Sequence, residues 1–493
     1  MPWTTIVYTI LIILLSYIIY KLAKSTRNYI YLRSLPGPPI PSLLRGNSFP
    51  LQESNNDLNQ TLEFRKKWIS KYPKLCRFAI GPMIQVLCSD PESVKAIFNE
   101  NFPKHSTYKL IQDWIGDGLL TSKGDKWFRH RKLLTPAFHY QILDGFFAVY
   151  SECVDVMLDL WAIQSADHVV LQEWIPYLTL DIILQCICSV KTDCQIKREQ
   201  LQYVQDVASL TRITILRFRQ PVKYYYDFIF NRSQLGREFI EVRQRARQFT
   251  YEIILARKRQ LENGDSGQNS KYRDFLDILL HASDPTLTDE EIRDEVDTFV
   301  FEGHDTTATA LTWTLYLLAK HTNYQDMCRQ EVFKFLDGNS SITKSTITSL
   351  IFLPMCIKES LRLYPPVINI SRCPAKPSTV AGHKLPAGLL TTIGIYQMHN
   401  HSDIWDNPSE FNPYRFSEDN IDKIVPFSYI PFSACSRNCI GQIMALHELN
   451  YVIARIITRF NLALPKDSPE EIEFQMNILL KPKLPLRIDI SPI

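Results

Sequence analysis

The stretch FSACSRNCIG, residues 432–441, decides the fold class, and it runs directly into a helical pattern over 442–460. This order predicts that Cys439 lies at or just before a helix N-terminus. Free backbone N–H groups and the positive end of the helix dipole favour thiolate over thiol at such a position. Gly441 has no Cβ, so a flat ligand can approach its backbone closely. Cys439 is therefore a candidate metal ligand or nucleophile, with a buried structural cysteine as the alternative.

A long helix is predicted upstream of that stretch. The sequence TDEE at 288–291 forms a capping box, with Thr288 as N-cap and Glu291 at N3. Apolar residues then recur at helical spacing as far as Lys320. The centre of this helix, EGHDTT at 302–307, contains Gly, Asp and two Thr, which are poor helix formers and can open or bend a helix. Such a local inconsistency is typical of a functional site, and a solvated helix face is the alternative.

Three shorter patterns add charged side chains. Glu359 and Arg362 have the i, i+3 spacing that places both on one helix face. Arg415, in NPYRF, is expected to bridge to Glu359. Trp127 and Arg131 lie four residues apart on another predicted helix, an arrangement suited to gripping a carboxylate.

The body of the chain is predicted to be one large, mainly α domain with a minor β portion. Helical periodicity dominates from about residue 45, and short strand patterns occur near 76–88 and 378–396. Apolar residues make up 45% and charged residues 22%, which excludes disordered, collagen-like and coiled-coil chains.

The N-terminus is predicted to be a single membrane span. Residues 1–20 contain no charged side chain, and a bilayer core requires about 20 apolar residues. Lys21, Lys24 and Arg27 follow at once, so the positive-inside rule places the rest of the chain in the cytoplasm. A cleaved signal peptide is the alternative, but no basic residue precedes the span.

A stiff spacer and an aromatic segment are further features of interest. The sequence LPGPPIP, residues 35–41, predicts a rigid connection between span and body. The aromatic segment 222–230 is expected either in the membrane interface or in the core.

Charge and motif content exclude several classes of function. The 55 basic and 52 acidic side chains give a net charge of +3, so no global basic field favours nucleic acid. No G-x-G-x-x-G or G-x-x-x-x-G-K-[ST] run is present, which argues against a built-in nucleotide site. The 11 cysteines include no C-x-x-C pair, so most are expected to be buried and reduced.

Taken in order, these motifs resemble a microsomal cytochrome P450. The match runs from the anchor and proline hinge through W-x-x-x-R, the acid–alcohol helix, E-x-x-R and P-x-R-F to the cysteine loop. The segments at 131–139, 301–307 and 437–442 are similar to family 4, the fatty-acid hydroxylase branch. The resemblance implies the P450 fold, with an anchor at 1–20, a basic and proline-rich hinge at 21–45 and a haem-thiolate catalytic domain at 46–493.

The resemblance also implies a haem b site with Cys439 as the axial thiolate. An anionic sulfur donates electron density that favours O–O cleavage. The haem propionates are then assigned to four side chains: Trp127, Arg131, Arg372 and Arg437.

Further roles follow from the same resemblance. Asp305 and Thr306 are expected to be the acid–alcohol pair that relays protons and holds water. Glu302 lies i, i+4 from Thr306 and is expected to form an ester to a haem methyl, a carboxylate that only pairs locally being the alternative. Glu359 and Arg362, with Arg415, are expected to form a buried structural triad.

The implied activity is monooxygenation of a hydrophobic small molecule, with terminal hydroxylation of fatty acids or related lipids as the expected reaction. Electrons would come from NADPH-cytochrome P450 reductase, with cytochrome b5 as a second candidate donor, on the cytoplasmic side of the endoplasmic reticulum membrane. Substrate access is expected near 100–122, 205–230, 366–371 and 474–480.

One residue departs from the family pattern. Cys435 stands where the family's loop normally carries Gly, and this substitution is expected to strain the turn by about 1–3 kcal/mol. Two alternatives therefore remain: a haem-thiolate isomerase or dehydratase, against which Asp305 and Thr306 argue, and a haem protein impaired by Cys435.

Overall fold

The computed structural model describes residues 3–41, 46–47, 58–163, 168–224, 226–264, 274–282, 287–336, 341–475 and 477–493. Helices dominate these residues and the strands are short, which confirms the mainly α class with a minor β portion.

The α-helices are α1 Trp3–Leu32, α2 Leu58–Lys71, α3 Pro91–Asn99, α4 Lys109–Ile115, α5 Gly124–Leu134, α6 Tyr140–Leu143, α7 Phe146–Ile163, α8 Leu171–Cys188, α9 Tyr203–Arg219, α10 Pro221–Tyr224, α11 Asp227–Arg232, α12 Gln234–Glu262, α13 Phe275–Leu280, α14 Asp289–Lys320, α15 Thr322–Leu336, α16 Lys344–Ser349, α17 Phe352–Leu363, α18 Ile395–His399, α19 Glu418–Ile421 and α20 Gln442–Arg459. Short 3₁₀ turns lie at Ser106–Tyr108, Thr135–Phe138, Pro413–Phe416 and Cys435–Arg437. The strands are β1 Cys76–Ile80, β2 Met83–Cys88, β3 His168–Val170, β4 Asn369–Arg372, β5 Ser378–Val380, β6 His383–Leu385, β7 Leu390–Gly394, β8 Phe460–Ala463, β9 Phe474–Gln475, β10 Lys481–Pro482 and β11 Arg487–Pro492.

The largest sheet joins distant parts of the chain in the order β1-β2-β7-β4. Strands β2 and β7 are parallel, and the other two pairings in this sheet are antiparallel. The strands predicted near 76–88 and 378–396 are confirmed as β1, β2, β5, β6 and β7. A second sheet has the order β3-β11-β8, and β5-β6 and β9-β10 form two-stranded sheets.

Helix α14 confirms the long helix predicted from the capping box. Thr288 Oγ1 accepts a hydrogen bond from the Glu291 backbone N at 3.1 Å, and the Glu291 carboxylate accepts one from Thr288 N at 3.1 Å. The helix runs unbroken through 302–307, and the hydroxyls of Thr306 and Thr307 donate to carbonyls four residues earlier. Gly303 has a packing role, since a Cβ there would lie 2.4 Å from Ile183 of α8.

The proline hinge is clamped onto β1. The Arg77 guanidinium donates to the carbonyls of Leu32 at 3.2 Å, Gly37 at 3.2 Å and Pro38 at 2.8 Å. A Cβ on Gly37 would lie 2.3 Å from the Arg77 carbonyl oxygen, so only glycine allows this approach. The rigid connection predicted from LPGPPIP therefore has a specific anchor on the sheet.

Helix α1 covers most of the predicted membrane span. In the part of the chain that the structure describes, no helix is both long enough and apolar enough to span a bilayer. Met1 and Pro2 lie outside the described residues, and the anchor over 1–20 stays a prediction.

The aromatic segment 222–230 divides between the two predicted environments. Tyr224 and Phe230 are buried, whereas Tyr226, Phe228 and Ile229 are exposed. Tyr225 lies outside the described residues.

Candidate active site

A cavity of about 430 Å³ lies between α14, the Cys439 loop and the four-stranded sheet. Most of its lining is apolar, including Ile111, Leu119, Phe299 and Phe301. Helix α14 presents Glu302, Gly303 and Thr306 to it; Thr306 shares a helix face with the other two because it lies four residues after Glu302 and three after Gly303. All four predicted access segments contribute lining residues.

The Cys439 loop is fixed by backbone hydrogen bonds. Cys439 N donates to Phe432 O at 2.9 Å, and Asn438 N donates to Cys435 O at 3.1 Å. Arg131 of α5 reaches across and donates to the carbonyl and side-chain oxygens of Asn438, both at 3.0 Å. These contacts hold Cys439 at the wall of the cavity, and the residue is accessible.

Two opposing effects act on the pKa of this thiol. Burial, aided by the Glu302 charge, raises the pKa of Cys439 to about 11, although the Gly441 N–H and Arg131 act in the opposite direction. The helix N-terminus therefore acts in the expected direction through the Gly441 N–H, but burial outweighs it in the protein without a ligand. A cation bound to the sulfur deprotonates such a thiol.

All four of the side chains predicted to bind the propionates converge on the same cavity. Trp127, Arg131, Arg372 and Arg437 all line it. The Arg437 guanidinium lies 3.8 Å from the Trp127 ring centroid and donates to Ser122 O at 3.1 Å. Burial and nearby Arg372 lower the pKa of Arg437 to about 10. Among the described residues, none of the three guanidinium groups forms an ion pair with a carboxylate, so the site holds positive charge without a counter-ion.

Sequence reasoning missed a fourth cation, Lys104. It is 7% exposed, pairs with Arg372 through an isolated antiparallel bridge, and donates to Leu120 O. Burial and the Arg372 charge lower the pKa of Lys104, while burial raises the pKa of Glu302. Each of these two groups partly offsets the shift of the other. No local pattern around Lys104 marks it, because only the long-range bridge to β4 places it here.

The predicted acid–alcohol pair is divided between two surfaces. Thr306 lines the cavity, and its hydroxyl donates to Glu302 O at 2.5 Å. Asp305 does not line the cavity; it is 3% exposed and forms an ion pair with Lys481 of β10 at 2.6 Å. Its second oxygen, Oδ2, is buried and accepts no hydrogen bond from any residue that the structure describes.

The predicted triad is present. Arg362 donates to Glu359 through Nε and Nη2, both at 2.8 Å, and both side chains are completely buried. Arg415 Nε donates to the same carboxylate at 3.2 Å. Arg362 also donates to His399 O at 2.7 Å and Glu410 O at 3.1 Å, so the triad joins α17 to the segment that precedes the Cys439 loop.

Comparison with known proteins matches residues 36–488 to the family model described as Cytochrome P450. The chain belongs to the cytochrome P450 family. A similar relative is a mouse leukotriene-B4 omega-hydroxylase 3, 35% identical over the whole of this chain and 96% of its own. A human ultra-long-chain fatty acid omega-hydroxylase is 35% identical over 94% of this chain and 89% of its own.

Solved structures agree with this assignment. The crystal structure of cytochrome P450DA heme domain superposes with a TM-score of 0.77 at 25% identity, covering 88% of this chain and 93% of that one. The chain is thus a cytochrome P450 monooxygenase, and it has the fold of that family.

The residues of this P450 fit haem. The cavity offers one sulfur donor at Cys439 and three guanidinium groups that lack a carboxylate partner within the described part of the chain; Arg372 is buried, and Arg131 and Arg437 are partly buried. Uncompensated buried charge is costly, and the two propionates of haem supply the missing negative charge. Gly441 also lines the cavity, and a Cβ there would meet only Phe138, at 3.8 Å.

The departure at Cys435 has the expected structural consequence. Its φ is +61°, a left-handed conformation that favours glycine and strains other residues. Ser433 in the same loop has φ +60°. The Cys435 side chain is exposed, whereas eight of the other cysteines are buried and none of the 11 is in a disulfide.

Proposed function

We propose that this P450 hydroxylates fatty acids or related lipids at or near the chain terminus. The observation that carries the proposal is a largely apolar cavity that ends on a single cysteine thiol at the start of α20. The named activities of similar proteins, omega-hydroxylation of a leukotriene and of an ultra-long-chain fatty acid, support the same class of substrate.

The proposed cofactor is haem b, held through Cys439 as the iron ligand. The propionates would be held by the four side chains that converge on the cavity: Trp127, Arg131, Arg372 and Arg437. When bound, haem iron with a thiolate ligand supplies the activation of dioxygen that inserts one oxygen atom into a C–H bond. The apolar walls keep bulk water away from the reacting carbon.

We propose that Thr306 and Asp305 deliver protons to the cavity. The Thr306 hydroxyl donates to Glu302 O and keeps its lone pairs free to accept a hydrogen bond from a water in the cavity. Asp305 forms an ion pair with Lys481, whose side chain is 22% exposed, and this pair connects the carboxylate to the protein surface. Protons would therefore reach the cavity from the Lys481 side of α14.

We propose that Glu302 forms an ester to a haem methyl in part of the molecules. One carboxylate oxygen of Glu302 would bond to the methyl carbon, which would give up one proton and two electrons, and dioxygen would accept both electrons. Acidic organic extraction should then leave part of the haem on the wild-type protein and none on Glu302→Gln. Complete release from the wild type, with no haem-linked peptide in mass spectrometry, would contradict this bond.

We also propose that residues 1–20 anchor the chain in the endoplasmic reticulum membrane, with 21–45 as the hinge and 46–493 as a cytoplasmic catalytic domain. The Arg77 clamp on the hinge and the exposed Tyr226, Phe228 and Ile229 support a membrane-facing side. Alkaline extraction and protease protection of microsomes test this topology: the protein should stay in the pellet with its catalytic domain digested.

The substrate proposal is tested by reconstitution with NADPH-cytochrome P450 reductase, with and without cytochrome b5, across a lipid panel. Terminally hydroxylated products formed with NADPH consumption support it. A second candidate, a haem protein impaired by the strained Cys435, is favoured by the φ of that residue. A normal thiolate-type spectrum without turnover of any lipid would support that candidate.

A further inference from the structure

A second polar cluster lies in the cavity, separate from the propionate-binding residues. Its members come from α2 and three strands of the large sheet: Arg65, Gln85, Asn369 and Thr392. Asn369 is three residues from Arg372 along β4, which corresponds to about 10 Å at the rise of a strand. Ile370, between them, also lines the cavity.

Arg65 brings a positive charge to this cluster. With the Asn369 amide oriented to satisfy its neighbours, Asn369 accepts a hydrogen bond from Arg65 Nη1 at 3.0 Å and donates to Ile368 O at 3.1 Å. Within the described residues, no carboxylate lies within ion-pair distance of Arg65. Burial, with the Arg219 charge nearby, lowers the pKa of Arg65 to about 10, so the group stays a cation at neutral pH. Arg65 therefore brings one positive charge to this wall of the cavity.

Gln85 adds an unsatisfied donor. Its side chain is 2% exposed, and its Oε1 accepts a hydrogen bond from Thr392 Oγ1 at 3.0 Å. Its Nε2 is buried and has no hydrogen-bond partner among the residues described. Buried donors are nearly always paired, so an acceptor from outside the chain is expected here. A guanidinium and an amide N–H on one wall together match a carboxylate, which accepts through two oxygens.

We propose that Arg65 and Gln85 form a subsite for the carboxylate of a lipid substrate, whose apolar chain extends past Ile370 toward Cys439. This inference rests on the proposed function and names the group that positions the substrate. An acid held about 10 Å along the sheet from Arg372 leaves the distal end of the chain to reach the haem side. Anchoring of the head group would therefore direct oxidation to the terminal carbons, although internal C–H bonds are more reactive.

Spectral titration of the full-length, haem-loaded enzyme tests the subsite. The probes are palmitic acid, methyl palmitate and hexadecane, and the readout is the change in haem absorbance when a ligand displaces water from the distal side. Hydrogen bonds to a charged group are strong, so Arg65→Gln should weaken palmitic acid binding by at least about tenfold while methyl palmitate binding changes little. Gln85→Leu should act in the same direction with a smaller loss, and Arg259→Gln, an exposed arginine on α12 outside the cavity, should have no effect.

Product analysis supplies a second readout. Arg65→Gln should shift hydroxylation of palmitic acid from the terminal carbon toward internal carbons. The subsite would be overturned if the wild type bound palmitic acid and methyl palmitate equally well, or if Arg65→Gln weakened the binding of both equally. Terminal hydroxylation of either lipid would still support the proposed function in that case. A wild-type spectrum and turnover that respond to no lipid would remove both. If Arg65→Gln does not retain haem, the Gln85→Leu titration decides alone.

Discussion

Glu359→Gln is expected to lower the free energy of unfolding by about 3 kcal/mol, because it leaves Arg362 as a buried charge without its counter-ion. Both side chains are 0% exposed, and Arg362 meets the carboxylate twice at 2.8 Å. Glutamine keeps the shape but removes the negative charge. Removal of one partner from a buried pair costs about 3–5 kcal/mol. The remaining acceptors of Arg362, His399 O and Glu410 O, place this case at the lower end.

The chain offers a matched control for this prediction. Glu290 and Arg293 have the same i, i+3 spacing at 3.3 Å, but the Glu290 side chain is 76% exposed. Glu290→Gln should therefore change stability by no more than about 0.5 kcal/mol. Urea unfolding of the haem-loaded proteins, followed by Soret absorbance and tryptophan fluorescence, compares the midpoints at equal slope. Equal midpoints for the two variants would refute a structural role for the buried pair.

Three further perturbations follow from particular residues. Cys435→Gly should raise stability by about 1 kcal/mol in urea unfolding, because relief of a left-handed non-glycine residue exceeds the added chain entropy; an equal gain in Cys435→Ala, which keeps the Cβ, would show that φ is not the cause. Burial raises the pKa of Asp297 to about 7, above its unfolded value, so the wild type loses stability as pH rises toward about 7. Asp297→Asn should remove that loss, gaining about 2 kcal/mol over wild type between about pH 5 and about pH 7; a pH-independent difference in melting temperature would contradict it. Lys481→Met removes the partner of Asp305 and should lower kcat while KM changes little. Lys483→Met, which breaks an exposed pair with Glu473, should leave both constants unchanged. The same loss of kcat in both variants would contradict a proton route at Lys481.

The parts of the site that the sequence predicts are those set by local spacing. The capping box at Thr288 defines where α14 begins, and the i, i+3 spacing of Glu359 and Arg362 places both in one ion pair. The loop before α20 likewise brings Cys439 to a helix start, as its sequence indicates. In each case the information lies within about one helical turn.

Helix geometry explains why Asp305 and Thr306, predicted to act as a pair, face different surroundings. Neighbouring residues on an α-helix point about 100° apart, since 3.6 residues complete a turn. Glu302 and Thr306 share the cavity face, so Asp305 projects elsewhere and meets Lys481.

Other features depend on contacts between distant segments, which no local pattern encodes. Lys104 reaches the propionate-binding residues through its bridge to Arg372, 268 positions later in the chain. Strands β9 and β10 contain two residues each, too short for an alternating pattern to show. The raised pKa of Cys439 results from burial by the whole fold, which outweighs the local helix N-terminus.

The most direct test of a haem–thiolate bond at Cys439 is the absorbance spectrum of the full-length, reduced, carbon-monoxide-treated protein. The wild type and Cys435→Ser should both show the Soret maximum diagnostic of sulfur ligation, and Cys439→Ser should lose it. Loss of that maximum in Cys435→Ser with its retention in Cys439→Ser, or its absence from the wild type, would contradict iron ligation by Cys439.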